Sequence, residues 1–139
     1  MTITSEEQYH ELSFYTLAHQ DKSFIHQHIV DAYIAQTANQ NTKAISLVFS
    51  LAGLYLYVEK NYTGRQVQQF HLQMAKNKIA WPSINLPEYR GNLSVANVIE
   101  EAPGPQRDDM IHKWCISVWD AYKDNSEVIA ALLQTGIVF

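Results

Sequence analysis

Residues 44–58 read AISLVFSLAGLYLYV, and this run decides the fold. It is apolar almost all round, so it has no face suited to water and must be enclosed by the rest of the chain. At 15 residues it falls short of the ~20 that a membrane-crossing helix needs. It predicts a central, buried helix. Ser46, Ser50, Gly53 and Tyr57 recur at intervals of four, three and four. They form one stripe of that helix, where small side chains would let a neighbouring helix come close.

Working outward, the breaks are legible. Thr42 is a candidate cap for the central helix, and Asn39-Gln40-Asn41 end the one before it, which Asp21 would open from about Lys22 to Ala38. Ser5 followed by Gln8 has capping-box spacing and opens a first helix to about Gln20. Thr63-Gly64 separate the central helix from a fourth, ending near Lys78, with Val67, Phe70, His71 and Met74 on one face. Trp81-Pro82 and Leu86-Pro87 punctuate an irregular stretch, residues 79–93. Ser94 caps a short helix, about Val95 to Glu101; Pro103-Gly104-Pro105 breaks it; a long helix runs from about Gln106 to Lys123. Ser126 caps a last one to about Gln134. The expected architecture is all-α: a single compact helical bundle of five or six main helices plus one short helix, one domain over residues 1–139. Only 5 Gly and 4 Pro in 139 residues agree with it.

A net charge of −4 leaves no basic field for a nucleic-acid backbone or an anionic membrane. One cysteine, Cys115, excludes a disulfide framework. The opening residues MTITSEEQYHEL carry neither a basic n-region nor an apolar h-region, which predicts a cytoplasmic protein.

Six histidines are the first candidate source of chemistry. A buried imidazole must hydrogen-bond or bind a metal. His10 has Glu6 and Glu7 one turn away, His28 has Asp31, and His112 has Asp108 and Asp109; a carboxylate so placed can fix the tautomer of a metal-ligating ring. No H-x-x-x-H or H-E-x-x-H pair is present, so a divalent transition metal would need ligands from separate helices, with His28, His71 and His112 as the set. Cys115, one turn after His112, reads as a small buried hydrophobe. The aromatic residues are the second source. Tyr and Trp in a helical core need polar partners, and Glu59, Arg65, Asp31 and Gln36 are placed to supply them.

The pattern His26, Asp31-Ala32-Tyr33, Gln36, with Leu56-Tyr57-Val58-Glu59, Ser94-Val95-Ala96-Asn97-Val98 and the late pair Trp114 and Trp119, resembles a bacterial family of unknown function. That family is typified by H-x4-D-A-Y-x-x-Q and W-x4-W, and the resemblance runs from about Tyr9 to Tyr122. Some of its members begin with a Cys-x-x-Cys segment resembling a zinc knuckle, which this chain lacks. The resemblance marks His26, Asp31, Gln36, Trp114 and Trp119 but implies no reaction. On a helix at 100° per residue His26 and Asp31 point about 140° apart, so one should meet the first helix and the other the third or the long helix.

Two functions remain open on this reading. The first is a binding module with an aromatic and polar interhelical cleft, formed by His26, Asp31, Tyr33, Gln36, Trp114 and Trp119, for a small molecule or a protein partner. The alternative is a metal-dependent helical-bundle enzyme. The apolar C-terminus, Gly136-Ile137-Val138-Phe139, is expected to tuck against its own bundle, the alternative being a homodimer pairing through Ile129, Leu132, Leu133, Ile137, Val138 and Phe139.

Overall fold

A computed structural model describes residues 4–18, 21–76 and 81–134. Among these residues there are seven α-helices and no strand: α1 (Ser5–Ala18), α2 (His26–Thr37), α3 (Ala44–Lys60), α4 (Gly64–Lys76), α5 (Val95–Glu100), α6 (Pro105–Ala121) and α7 (Ser126–Gln134), with a 3-10 turn at Lys123–Asn125. The all-α expectation holds, with six longer helices and α5 as the short one.

The apolar run becomes α3, and it is the hub: α2, α4, α6 and α7 all pack on it, while α1 lies against α2 and α5. Leu47, Val48, Leu51, Ala52, Leu54 and Leu56 are buried along its length. From α6, Ile111, Trp114, Val118 and then Tyr122 are fully buried. Val67, Phe70 and Met74 do the same from α4. The stripe of small residues has a specific use. A Cβ on Gly53 would sit 2.0 Å from Asp31 Oδ2 and 3.1 Å from Val67 Cγ1, so glycine is what lets α2 seat a carboxyl group directly on α3.

Several helix starts differ from the expected ones. The cap of α1 is Thr4, whose hydroxyl accepts from the Glu7 amide at 3.1 Å; Ser5 is already helical. Asp21 accepts from the Ile25 amide at 3.0 Å, but the chain turns once more before α2 because Phe24 is left-handed at φ 57°. That turn is held from outside: Arg65 N–H donates to Ser23 O at 2.9 Å, and a Cβ on Gly64 would collide with Phe24 O at 1.8 Å. Thr63 and Gln66 cap α4 reciprocally, at 2.8 and 3.1 Å. Ser94 caps α5 as expected, with Asn97 returning the bond.

The segment before α5 is irregular yet firmly tied. Arg90 donates to the carbonyls of Ala35, Gln36 and Ala38 and to Pro87 O, placing a cation on the carbonyl end of α2, where the helix dipole is negative. Ser117 of α6 accepts from the amides of Asn92 and Leu93. Gly91, at φ 102°, lies so close to Ser117 that a side chain there has no room. In the proposed dimer face, Ile129 and Leu132 are buried in the chain's own core, Leu133 packs against that core, and Ile137, Val138 and Phe139 lie outside the described residues.

Candidate functional site

Three assemblies of polar groups stand out in the core. In the first, Gln36 accepts from Trp114 Nε1–H at 2.9 Å and donates to Leu93 O and Arg90 O at 2.7 and 3.2 Å. Beside it Tyr122 donates to Ala35 O at 2.6 Å, with the Arg90 guanidinium over its ring. Trp119 finds its partner separately, donating to Glu59 at 3.0 Å. The two tryptophans therefore have the glutamine and glutamate partners that their positions suggested, and each indole N–H is already used.

The second assembly centres on Tyr57 of α3. His28 of α2 stacks on its ring with centroids 3.5 Å apart, and its hydroxyl meets His112 Nδ1 of α6 at 2.7 Å. His28 is only 4% exposed, and its Nδ1 has no hydrogen-bond partner among the described residues. Burial, and then the nearby His112, lower its pKa to about 4 against a smaller opposing pull from Asp21, so the ring is neutral. Cys115 donates weakly to His28 O at 3.6 Å, and burial pushes its thiol well up. That is the opposite of an activated nucleophile.

The third assembly lies where α2, α3 and α4 meet. Asp31 is 2% exposed. Its Oδ1 accepts from Gln27 Nε2–H at 3.2 Å, whereas Oδ2 rests against Gly53 with no hydrogen-bond partner among the described residues. The same Gln27 amide faces His71 Nδ1 at 3.5 Å, and the other nitrogen of His71 meets Phe49 O at 2.8 Å. A carbonyl can only accept, so Nε2 carries the proton and the ring is the neutral tautomer with a lone pair toward Gln27. Burial lowers the His71 pKa despite this bond. Burial likewise raises the Asp31 pKa well above its ordinary value, the Gln27 bond opposing it, which favours the protonated carboxyl.

These groups border a cavity of about 350 Å³. Its polar wall is Gln27, Asp31, Ser46, Ser50 and His71; its apolar wall is Val30, Ile34, Ile45 and Phe49. Trp81 packs edge-on against Phe49 at 5.3 Å. In chemical terms it is a partly open apolar pocket with one carboxyl, one imidazole, one amide and two hydroxyls.

Of the residues marked from sequence, the structure gathers few into one place. His26 meets Thr16 of α1 at 2.9 Å while Asp31 abuts α3, the divergence that the helix geometry required. Because Thr16 donates its own proton to Ser13 O, His26 Nδ1–H is the donor. Tyr33 stacks on Tyr9 at 3.9 Å. Only Asp31 of the expected cleft set borders the cavity. The proposed metal ligands are also apart: His28 and His112 share the Tyr57 ring, and His71 faces Phe49 O. Among the described residues no three His, Cys, Asp or Glu side chains group as a metal site. The predicted carboxylate partners went elsewhere, Asp109 to Lys113 and Asp108 to Tyr15; only exposed His10 keeps Glu6, at 3.7 Å. Sequence reading missed Gln27 and Phe49. Gln27 stands four residues before Asp31 on the same face, a signal that any surface glutamine could give.

Fold and site together define a helical bundle with an interhelical pocket and a buried carboxyl group. The chain belongs to DUF5946, a family of unknown function, whose family model matches residues 4–123. Comparison with curated proteins gave no match, and neither did comparison with solved structures. No helix among the described residues is long and apolar enough to cross a membrane.

Proposed function

We propose that this protein is a small-molecule-binding module whose ligand seats in the cavity between α2, α3 and α4. One observation carries the reading: Asp31, a carboxyl side chain almost wholly removed from water, borders an open cavity and has an oxygen, against Gly53, with no partner among the described residues. Leaving a buried polar group unsatisfied costs about 1–3 kcal/mol, and such an outlay persists where a ligand supplies the missing partner. The tryptophan and glutamine groups of the core already have partners within the chain. The volume is at the small end of the ~300–1,000 Å³ typical of ligand pockets, and apolar walls with a few convergent polar groups fit that description.

A fragment screen followed by NMR tests it. Bound fragments should perturb the signals of Ser46, Phe49 and His71 as a group. Ile45, 40% exposed at the cavity, offers a plug: Ile45→Trp should abolish those shifts in a protein that unfolds at the wild-type midpoint. Hits that scatter over the surface, or that persist in the plugged variant, would end the proposal.

A further inference from the structure

The hydrogen-bond accounting of the cavity defines what it would hold. His71 spends its one N–H on Phe49 O. Gln27 divides its amide protons between His71 Nδ1 and Asp31 Oδ1. Ser50 donates its proton to Leu47 O at 2.8 Å, leaving its oxygen lone pairs. The Ser46 hydroxyl and, while it is protonated, the Asp31 carboxyl can still donate; the second oxygen of Asp31 and the Ser50 hydroxyl oxygen carry lone pairs. Rotation about Cβ–Cγ exchanges the two carboxyl oxygens, so either one can be presented. No Lys or Arg borders the cavity among the described residues. The titratable groups around Asp31 are Tyr9 from α1, His71 from α4 and Cys115 from α6, and burial favours the neutral form of each. The carboxyl group therefore lacks a counter-cation from every helix packed on it.

We infer that the cavity takes an organic ammonium, a protonated primary or secondary amine with a small apolar substituent, with Asp31 as its counter-ion. The inference rests on the small-molecule reading above and narrows it. The ammonium supplies donors to the Asp31 carboxylate and the Ser50 oxygen, and its substituent lies among Val30, Ile34 and the Phe49 ring, where a cation beside an aromatic face is further favoured. An anionic ligand would find no Lys or Arg in the described wall to offset the burial of its charge.

Binding also moves a proton. Burial raises the pKa of the empty carboxyl and so favours its protonated form. An ammonium in contact favours the carboxylate, so the O–H bond of Asp31 breaks, its proton passes to the solvent buffer, and the ion pair left behind is neutral overall.

Calorimetry with benzylammonium and its neutral counterpart benzyl alcohol, in phosphate and in MOPS at pH 7, tests this. Benzylammonium should bind at least about thirtyfold more tightly and release protons where the alcohol releases none, read from the difference between buffers. Asp31→Asn should lose that preference and the proton release; Ile45→Trp, which leaves Asp31 intact, should lose both ligands. Equal binding of alcohol and amine, or binding of the amine without proton release, would overturn the ammonium inference while leaving the cavity as a ligand site. If neither probe binds and the fragment screen is also empty, the binding reading itself falls.

Discussion

Gln36 shows how much one side chain can hold in this bundle. It ties an α6 indole to α2 and donates to two carbonyls of an irregular segment. Gln36→Leu would leave a buried Trp114 N–H and two carbonyls unsatisfied, each worth about 1–3 kcal/mol. The expected loss is about 3 kcal/mol in urea unfolding. Trp114→Phe in the Gln36→Leu background should cost less than in wild type, because the N–H it deletes is already orphaned; additive losses would show that the bond contributes nothing. The pair of Trp119 and Glu59 has a milder expectation. Glu59 is exposed, so Glu59→Ala lets water reach the indole and should cost no more than about 1 kcal/mol, a value that larger losses in the same assay would refute.

Between elements, the decisive contacts are two glycines. Gly53→Ala would thrust a methyl group into Asp31 Oδ2, and a forced shift of α2 away from α3 should cost about 1–3 kcal/mol. The obstacle is a side chain, so shortening it helps: Asp31→Ala combined with Gly53→Ala should recover most of that loss. Gly64→Ala meets Phe24 O instead. Backbone cannot be trimmed, and no side-chain change at Phe24 should rescue it. Identical behaviour of the two glycine variants in denaturant would contradict this. The same contacts explain what was legible in the sequence. A 15-residue apolar run and the Ser46, Ser50, Gly53 spacing are periodic, so the central helix and its close neighbour could be read directly. The start of α2 could not: Asp21 looks like a cap, and only the packing of Gly64 and Arg65 on Ser23-Phe24 delays the helix to His26. Arg90 lies in a segment without periodicity, so its role on the end of α2 had no local signal.

At the scale of the whole molecule, His28 and Asp31, the two buried side chains with an atom unpartnered among the described residues, pull stability in opposite directions with pH. Which carboxylates and imidazoles meet across helices has no local signal in the sequence; it depends on tertiary contacts such as Tyr57 over His28 and Gln27 between Asp31 and His71. For His28 the folded pKa is about 4 against 6.5 in the open chain. The unfolded state therefore takes up a proton first, and stability is present above pH 6.5 and lost as pH falls toward 4, by on the order of 3 kcal/mol. His26 and His71, also lowered, have the same sign. Asp31 has the reverse sign: its folded pKa lies well above 3.8, so the folded state holds the proton longer and stability declines as pH rises from about 4. The wild-type curve between pH 4 and 7 is the difference of these slopes. Asp31→Asn removes the term that favours acid, so its unfolding free energy should fall more steeply than wild type on acidification. Its advantage should be largest near pH 8. His28→Phe, which keeps a ring against Tyr57, should flatten the acid limb instead. Denaturant unfolding at pH 4.5, 5.5, 6.5 and 8 decides the matter. Parallel curves for wild type and Asp31→Asn would mean that Asp31 ionises as it does in the open chain, and the carboxyl group could not then be an acid awaiting a cation.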